Sequence, residues 1–258
     1  MTRRKSLLAV PAAAASMPAA GRAPSILELR YFQLRNGPDA QPQRTADFLR
    51  QSFMPALARA GGKVHGVFSN LIAPNGPFLL VLSSFPSLAA MEAATEKRSA
   101  DKLYQQELAA AEGKGGLRYM RFETTLLRAF QTMPEVESSE PEAGKPARVF
   151  ELRTYESNSP ISLRRKIAMF EKDGEIAIFR RVGLLPVFFG EAIAGRNMPN
   201  LTYMVVTDSL AAREKAWAAF GADPEWQKLR IQPGLSDPEL VSNISNTLLR
   251  PLPFSPLR

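Results

Sequence analysis

Two short segments of the sequence place a carboxylate and a guanidinium two residues apart. Glu28 and Arg30 stand in the first, and the same pair returns 123 positions later as Glu151 and Arg153, followed by Tyr155. Alternate side chains of a strand share one face, and buried charges must be paired or bind something. The pattern predicts either ion pairs that join two sheets, or a polar pocket in which the two arginines hold an anionic ligand and the tyrosine donates a hydrogen bond.

The apolar residues of the second segment indicate which way it faces. Phe150 and Leu152 flank Glu151, so they would lie on the opposite face of the strand. We expect this apolar pair to contact helices, and the charged set of both segments to face an interior between two sheets. The candidate residues of the ligand pocket are therefore Glu28, Arg30, Glu151, Arg153 and Tyr155.

His65 is the single histidine, and the chain has no cysteine. A haem ligand or a general base would use such a histidine. No cysteine or second histidine can complete a common metal set around it. We predict a packing or surface role for His65 and keep a role in the site as the alternative. The sequence predicts no metal site, argues against haem and identifies no other cofactor.

A second repeat shows which elements must position these residues. Thr125-Leu126-Leu127-Arg128 returns as Thr247-Leu248-Leu249-Arg250, 122 positions later. Two matches at nearly one offset indicate a duplicated unit of domain size. Each copy is patterned as strand, helix, two strands, helix and strand, which is the ferredoxin-like βαββαβ motif. Such a sheet carries its helices on one face, so the other face needs a partner. The sequence predicts an α+β fold in which two such domains pack sheet to sheet as a pseudo-twofold barrel.

Composition supports a folded body without a nucleic-acid partner. Hydrophobic residues make up 45% of the 258 positions, enough for a sizeable core. The chain holds 33 Lys+Arg against 25 Asp+Glu, and its net charge of +8 falls to +4 without residues 1–27. The remaining basic residues are scattered among acids and form no stripe, so we predict no binding of nucleic acid.

The beginning of the chain resembles an export signal. Residues 1–23 combine the basic cluster Arg3-Arg4-Lys5 with an alanine-rich apolar run. The cluster resembles the bacterial twin-arginine signal, which predicts a periplasmic location. An organellar transit peptide, and hence an organellar matrix, is the alternative because the stretch is rich in arginine and free of acids. The apolar run is too short for a stable membrane span.

The remaining segments follow from the repeat. We predict a first domain over residues 24–130, a linker over 131–147 and a second domain over 148–258. The linker region holds three prolines and four glutamates and almost no apolar residues, so it should be solvated.

The second domain resembles the NIPSNAP family. The ELRTY segment at 151–155 resembles the family's first strand, and residues 170–190 resemble its helix, glycine turn and strand. Trp217 and the Asp223–Trp226 segment resemble its second-helix signature. The first half keeps Glu-Leu-Arg and lacks both tryptophans, so it is interpreted as a diverged NIPSNAP-like copy. The family belongs to the dimeric α+β barrel superfamily, so the resemblance implies a tandem-domain bacterial member folded as an intramolecular dimeric α+β barrel.

The resemblance implies a fold more firmly than a function, since the superfamily includes monooxygenases, haem enzymes, isomerases and ligand-binding regulators. We predict an exported protein that binds a small, partly apolar or anionic ligand between its two sheets. One alternative is a cofactor-independent monooxygenase or an isomerase-type enzyme that uses the same pocket. Another is a structural or interaction pseudo-dimer, and a homo-oligomer is compatible with each hypothesis.

Overall fold

The computed structural model describes residues 23–37, 40–112, 116–137 and 146–258. Apart from its last residue, the predicted signal peptide lies outside these ranges, as do residues 138–145 of the predicted linker. Within the described ranges, no helix combines the length and the apolar character needed to cross a bilayer.

The first half contains four strands and the helices between them. In chain order its elements are β1 (Ile26–Gln33), α1 (Gln41–Phe48), a π-helical turn (Leu49–Phe53), α2 (Met54–Ala60), β2 (Lys63–Ile72), β3 (Phe78–Phe85), α3 (Leu88–Ala100), α4 (Lys102–Glu112) and β4 (Arg121–Ala129). Gly61 ends α2 at φ 98°, a conformation that favours glycine. Ser87 begins α3 because its side chain accepts a hydrogen bond from the Ala90 amide at 3.1 Å.

The second half repeats this order. Its elements are β5 (Val149–Ser157), α5 (Pro160–Glu171), α6 (Glu175–Val182), β6 (Leu185–Ala194), β7 (Asn200–Thr207), α7 (Leu210–Ala222), α8 (Pro224–Arg230), α9 (Asp237–Leu240) and β8 (Val241–Pro251). Gly183 ends α6 at φ 90°, and Ser209 caps α7 as Ser87 caps α3. The glycines and the capping serines each recur 122 positions apart.

The strands form one closed barrel in the order β1-β3-β2-β8-β5-β7-β6-β4. Hydrogen bonds join the halves at two seams, β2 with β8 and β4 with β6. Every neighbouring pair is antiparallel, so β1 and β5, which lie opposite each other, run in the same direction. The β2–β3 and β6–β7 hairpins therefore lie at the same end of the barrel. The α+β class and the barrel agree with the sequence-based prediction.

The barrel interior is apolar. A buried cluster from both halves includes Leu29, Phe68, Phe150, Leu152 and Phe188. The prediction that Phe150 and Leu152 contact helices, with the charged set inside, was wrong. An eight-strand barrel is just wide enough to be filled by side chains. Large apolar residues fill it, and the charged residues face the helices, which supply their partners.

Two chain segments cover the barrel end opposite the hairpins. Leu257 is buried in the interior cluster, and its amide donates to the His65 carbonyl at 2.9 Å. Val136, which follows β4, packs against the same cluster, and the Glu137 amide donates to the Val187 carbonyl at 2.8 Å. Ligand access along the barrel axis is therefore from the hairpin end.

Candidate functional site

A cavity of about 210 Å³ lies at the hairpin end of the barrel. Both halves line it, and Leu29 and Leu152 occupy equivalent positions of β1 and β5, 123 residues apart. They are the innermost lining residues of those strands and join the cavity to the apolar interior cluster. The cavity is therefore a cup with an apolar floor, and its upper walls come from two related sets of strands.

The two walls of the cavity differ in chemistry. On β1 and β3 the wall is aromatic: the Tyr31 and Phe78 rings meet edge to face, with centroids 5.2 Å apart. On the opposite strands, β5 and β7, it carries Thr154, Asn200 and Thr202. Aromatic side chains provide apolar contact area, whereas hydroxyl and amide groups donate and accept hydrogen bonds.

Hydrogen bonds fix the polar wall. The hydroxyls of Thr154 and Thr202 lie 2.9 Å apart, and Thr202 also donates to Asn200 Oδ1 at 3.2 Å. Asn200 in turn donates to the backbone carbonyls of Arg196 and Asn197, at 2.9 Å each. The amide is thereby oriented, and the two hydroxyls keep acceptor capacity for a ligand.

The aromatic wall has polar groups without a protein partner. Neither the Tyr31 hydroxyl nor the Gln33 amide makes a side-chain hydrogen bond within the described part of the chain, although Gln33 is only 7% exposed. Burial, together with the nearby Glu123 carboxylate, raises the pKa of Tyr31. The phenol therefore stays protonated at neutral pH and can donate to a ligand.

One carboxylate at the rim is shared by two arginines. Glu123 lies directly across from Tyr31 in the β1–β4 pair. Its two carboxylate oxygens lie 2.9 Å from Arg121 Nε and 2.9 Å from Arg196 Nη2. The rim therefore offers no unpaired carboxylate to the cavity.

The hairpins that frame the mouth are copies of each other. Asn75 and Asn197 both have φ 57°, and each stands two residues before a cis-proline, Pro77 or Pro199. Both asparagines line the cavity. Sequence reasoning missed this site, although the Asn-x-Pro repeat at an offset of 122 was a usable signal. If Glu28 and Arg30 are assigned to the helix-facing side of β1, strand alternation places Leu29, Tyr31 and Gln33 on the inward side.

Glu151 lies on the helix side of β5, away from this cavity. Its carboxylate accepts from Arg213 Nε and Nη2 and from Trp217 Nε1, each at 2.7 Å, and from Arg153 Nη1 at 3.0 Å. Burial raises the pKa of Glu151, but these donors outweigh it and leave the pKa below its usual value. Glu151 is thus a saturated acceptor at 2% exposure.

Arg153 and Tyr155 continue the same cluster. The Arg153 guanidinium lies 4.3 Å from the centroid of the Trp217 ring, and its Nη2 donates to the Tyr155 hydroxyl at 3.3 Å. Tyr203 donates to the same hydroxyl at 3.0 Å. Beside them, the fully buried Lys166 ammonium lies 3.2 Å from Glu175 Oε2. Sequence reasoning did not identify this buried pair.

Glu28 and Arg30 form a separate cluster under the helices of the first half. Arg30 bonds Glu28 through Nε at 2.9 Å and Nη2 at 2.6 Å, and its guanidinium lies 5.5 Å from the Phe53 ring centroid. The expected enclosure of all four charges in one space between the sheets is therefore not found. The apolar interior separates the two pairs, and each faces its own helix layer.

His65 lies near the covered end of the barrel. Its Nε2 is 2.7 Å from the Ser84 hydroxyl, and the residue is 7% exposed. Burial and the charge of Lys63 lower the pKa of His65 to about 4. It does not line the hairpin-end cavity. The described residues include no group of three or more metal-ligating side chains.

Comparisons with solved structures identify the fold. A protein of Fusobacterium nucleatum described as a putative monooxygenase is 11% identical and matches 89% of this chain and 93% of its own, with a TM-score of 0.57. One from Lactobacillus acidophilus, also described as a putative monooxygenase, is 11% identical over 88% and 93% of the two chains, with a TM-score of 0.55. At this identity the likeness shows a shared fold alone.

Two further comparisons concern the NIPSNAP family. A NIPSNAP-like domain protein from Burkholderia xenovorans is 27% identical and matches 43% of this chain and 90% of its own, with a TM-score of 0.37. No curated protein matches the sequence. The NIPSNAP family model matches residues 150–256. Residues 150–256 therefore match the NIPSNAP family, and the chain as a whole shares its fold with the two proteins described as putative monooxygenases.

Proposed function

We propose that this protein binds a small, uncharged, partly aromatic molecule at the hairpin end of its barrel. The observation that carries the proposal is the pair of facing walls, one built on Tyr31 and Phe78 and the other on Thr154 and Thr202. A ring would pack against the aromatic wall, and a hydroxyl on that ring would donate to the threonines. Ligand sites are commonly apolar clefts with a few placed polar groups.

The size of the cavity limits the ligand. An engineered cavity of about 150 Å³ binds benzene, so about 210 Å³ accommodates one substituted ring. Larger molecules would extend through the mouth between Asn75 and Asn197. A single-ring phenol is the chemical class that fits best.

The charges around the cavity favour a neutral ligand. Arg30 and Arg153 point into the helix layers, and Arg196 at the rim is paired with Glu123. An anion in the cavity would lose its hydration, and the arginine of the described lining, Arg196, already contacts Glu123. Of the two ligand types expected from the sequence, we therefore propose the partly apolar one for this cavity.

We propose binding rather than acid–base catalysis by side chains. The described lining includes no histidine or lysine, and both oxygens of its carboxylate, Glu123, contact arginines. The likeness to putative monooxygenases rests on the fold and supports no reaction by itself. We also propose that each half is a ferredoxin-like domain and that the chain is exported, because the repeat and the basic cluster at its start support these assignments.

Calorimetric titration with 4-ethylphenol, 4-ethylbenzoate and ethylbenzene tests the proposal. We expect 4-ethylphenol to bind most tightly, because it alone combines a neutral ring with a hydroxyl. Thr202→Val should weaken its binding about tenfold, the value of one hydrogen bond. Thr207→Val, a buried threonine at the far end of the same strand, is the matched control and should leave binding unchanged. Preference for the benzoate, or equal losses in both variants, would contradict the proposal.

A further inference from the structure

The first half contains a buried cation with no matching anion. Arg98 lies in the last turn of α3 and is 8% exposed. Among the described residues, no side chain or backbone group forms a hydrogen bond or ion pair with its guanidinium. Its guanidinium makes a cation–π contact with the Phe53 ring, whose centroid is 4.9 Å from Arg98 Cζ. Because an unpaired charge is costly to bury, an anion that reaches Arg98 would stabilise it.

A second arginine increases the demand for negative charge. Arg30 lies against the same Phe53 ring and bonds one oxygen of Glu28. Burial lowers the pKa of Arg98, and the nearby Arg30 lowers it further. With Glu28 as the one buried carboxylate of the group, the three side chains carry a net charge of +1. One additional negative charge would neutralise them.

The second half shows how the same position is balanced by protein groups. There Arg213 and Trp217 complete the bonding of Glu151, and an apolar residue, Phe220, stands 122 positions after Arg98. In the first half, Met91 and Thr95 take the places of Arg213 and Trp217. The first half therefore lacks the groups that saturate the carboxylate in the second half, and it carries a cation where the second half has a phenylalanine.

Further groups around the cations fit a ligand. Tyr104 is close enough to both guanidiniums for their charges to oppose the rise that burial causes in its pKa. Its hydroxyl has no hydrogen-bond partner in the parts of the chain described above. The Phe48 ring contacts both Phe53 and Tyr104 and so joins them in one aromatic group.

We propose that the first half binds a monocarboxylate at Arg98 and Arg30, in a site separate from the hairpin-end cavity. The planar guanidinium matches a carboxylate in two parallel hydrogen bonds. A single negative charge brings the group to neutrality, whereas a phosphate dianion would leave an excess charge buried. Tyr104 provides a further donor.

Thermal unfolding in sodium acetate and in sodium chloride, at equal ionic strength and pH 7, tests this site. We expect acetate at about ten times its dissociation constant to raise Tm of the wild-type chain by roughly 4 °C relative to chloride. Arg98→Phe, which introduces the residue found in the second half, should abolish that difference. Lys97→Leu removes a neighbouring exposed charge and should retain it.

Three results would overturn the proposal. The first is an equal acetate response in the wild-type chain and Arg98→Phe, which would mean a general salt effect. The second is a larger stabilisation by phosphate than by acetate, which would make this a phosphate site. The third concerns Arg98→Lys, which is the variant to use if Arg98→Phe does not fold. Lysine keeps the charge but lacks the planar guanidinium, so we expect the acetate affinity to fall about tenfold. An unchanged affinity in Arg98→Lys would overturn the proposal.

Discussion

The two halves share a frame and differ in the layer between the sheet and the helices. In both, an arginine near the end of the helix before the hairpin binds an aspartate that precedes a later helix. Arg59 of α2 binds Asp101, just before α4, at 2.7 Å, and Arg181 of α6 binds Asp223, just before α8, at 2.9 Å. These pairs recur 122 positions apart, as do the capping serines and the asparagine turns. After the duplication, the features that end helices and turn hairpins were therefore retained.

The packing beneath the helices has diverged. In the second half the buried charges are matched: Lys166 faces Glu175, and Glu151 contacts two arginines and an indole. Burial alone would lower the pKa of Lys166, but Glu175 and its other neighbours raise it. In the first half the described lysines are all outside the core, and Arg98 is unmatched. The NIPSNAP model matches the half with the balanced layer.

The largest expected difference between the halves concerns their two buried glutamates. Glu151→Gln removes the charge that two arginines and Trp217 contact, and we expect a loss of about 3–5 kcal/mol in the free energy of unfolding. Glu28→Gln should cost less, because one arginine bonds that carboxylate. Urea unfolding of both variants measures the difference. If Glu28→Gln proved as destabilising, the charge balance inferred for the two layers would be wrong.

The next expected difference between the halves is a pH dependence of stability that comes from a histidine of the first half. His65 is held neutral in the folded chain, with its pKa lowered from 6.5 to about 4. The unfolded chain therefore binds the additional proton between these values, so stability decreases as pH falls through this window, by up to about 3 kcal/mol. Val187 stands 122 positions later in the second half, and His65→Val should remove this contribution.

The measurement is the free energy of unfolding of both chains at pH 7 and pH 4.5. Carboxylates also titrate at the lower pH, so the quantity to compare is the difference between the wild-type chain and the variant. That difference should shrink or reverse at pH 4.5, because only the wild-type chain must bury a neutral histidine there. A constant difference would show that His65 is protonated in the folded state.

The smallest effect concerns the shared frame. Asp223 accepts from the amides of Glu225 and Trp226, at 2.9 and 3.2 Å, and bonds Arg181. Asp223→Ala should cost about 1–2 kcal/mol, as for the loss of a helix cap. Asp101 is more exposed and accepts from one amide, that of Tyr104, so Asp101→Ala should cost less. Chemical denaturation of the pair tests whether the duplicated feature has the same role in both halves, and a reversed order would show that it has not.

The frame could be predicted from the sequence because it depends on local signals. Repeated Glu-Leu-Arg and Thr-Leu-Leu-Arg segments indicated the duplication, and strand alternation with glycine and serine boundaries indicated the elements. The orientation of the strands could not be obtained in this way. Residues such as Leu152 and Glu151 alternate identically whichever face is inside, and the choice depends on the width of the closed barrel.

The candidate site was less predictable than the fold. Arg30 and Arg153 were identified as residues with chemical potential, but their partners come from helices far along the chain. Tyr31, Thr154 and Thr202 carry no motif, and they converge only when strands from both halves close into one barrel. The unmatched state of Arg98 depends on burial and on the absence of contacts, which no local pattern encodes.

The covalent link between the halves has a consequence for the hairpin-end cavity. A barrel built from two separate, identical chains would repeat each wall about its twofold axis, and a ligand on that axis would meet the same groups on both sides. One continuous chain removes that restriction, so Tyr31 can face Thr154 across the axis although the two occupy equivalent positions. Because the two halves are parts of one chain, the cavity walls need not be symmetric, and the cavity can distinguish the two ends of one ligand molecule.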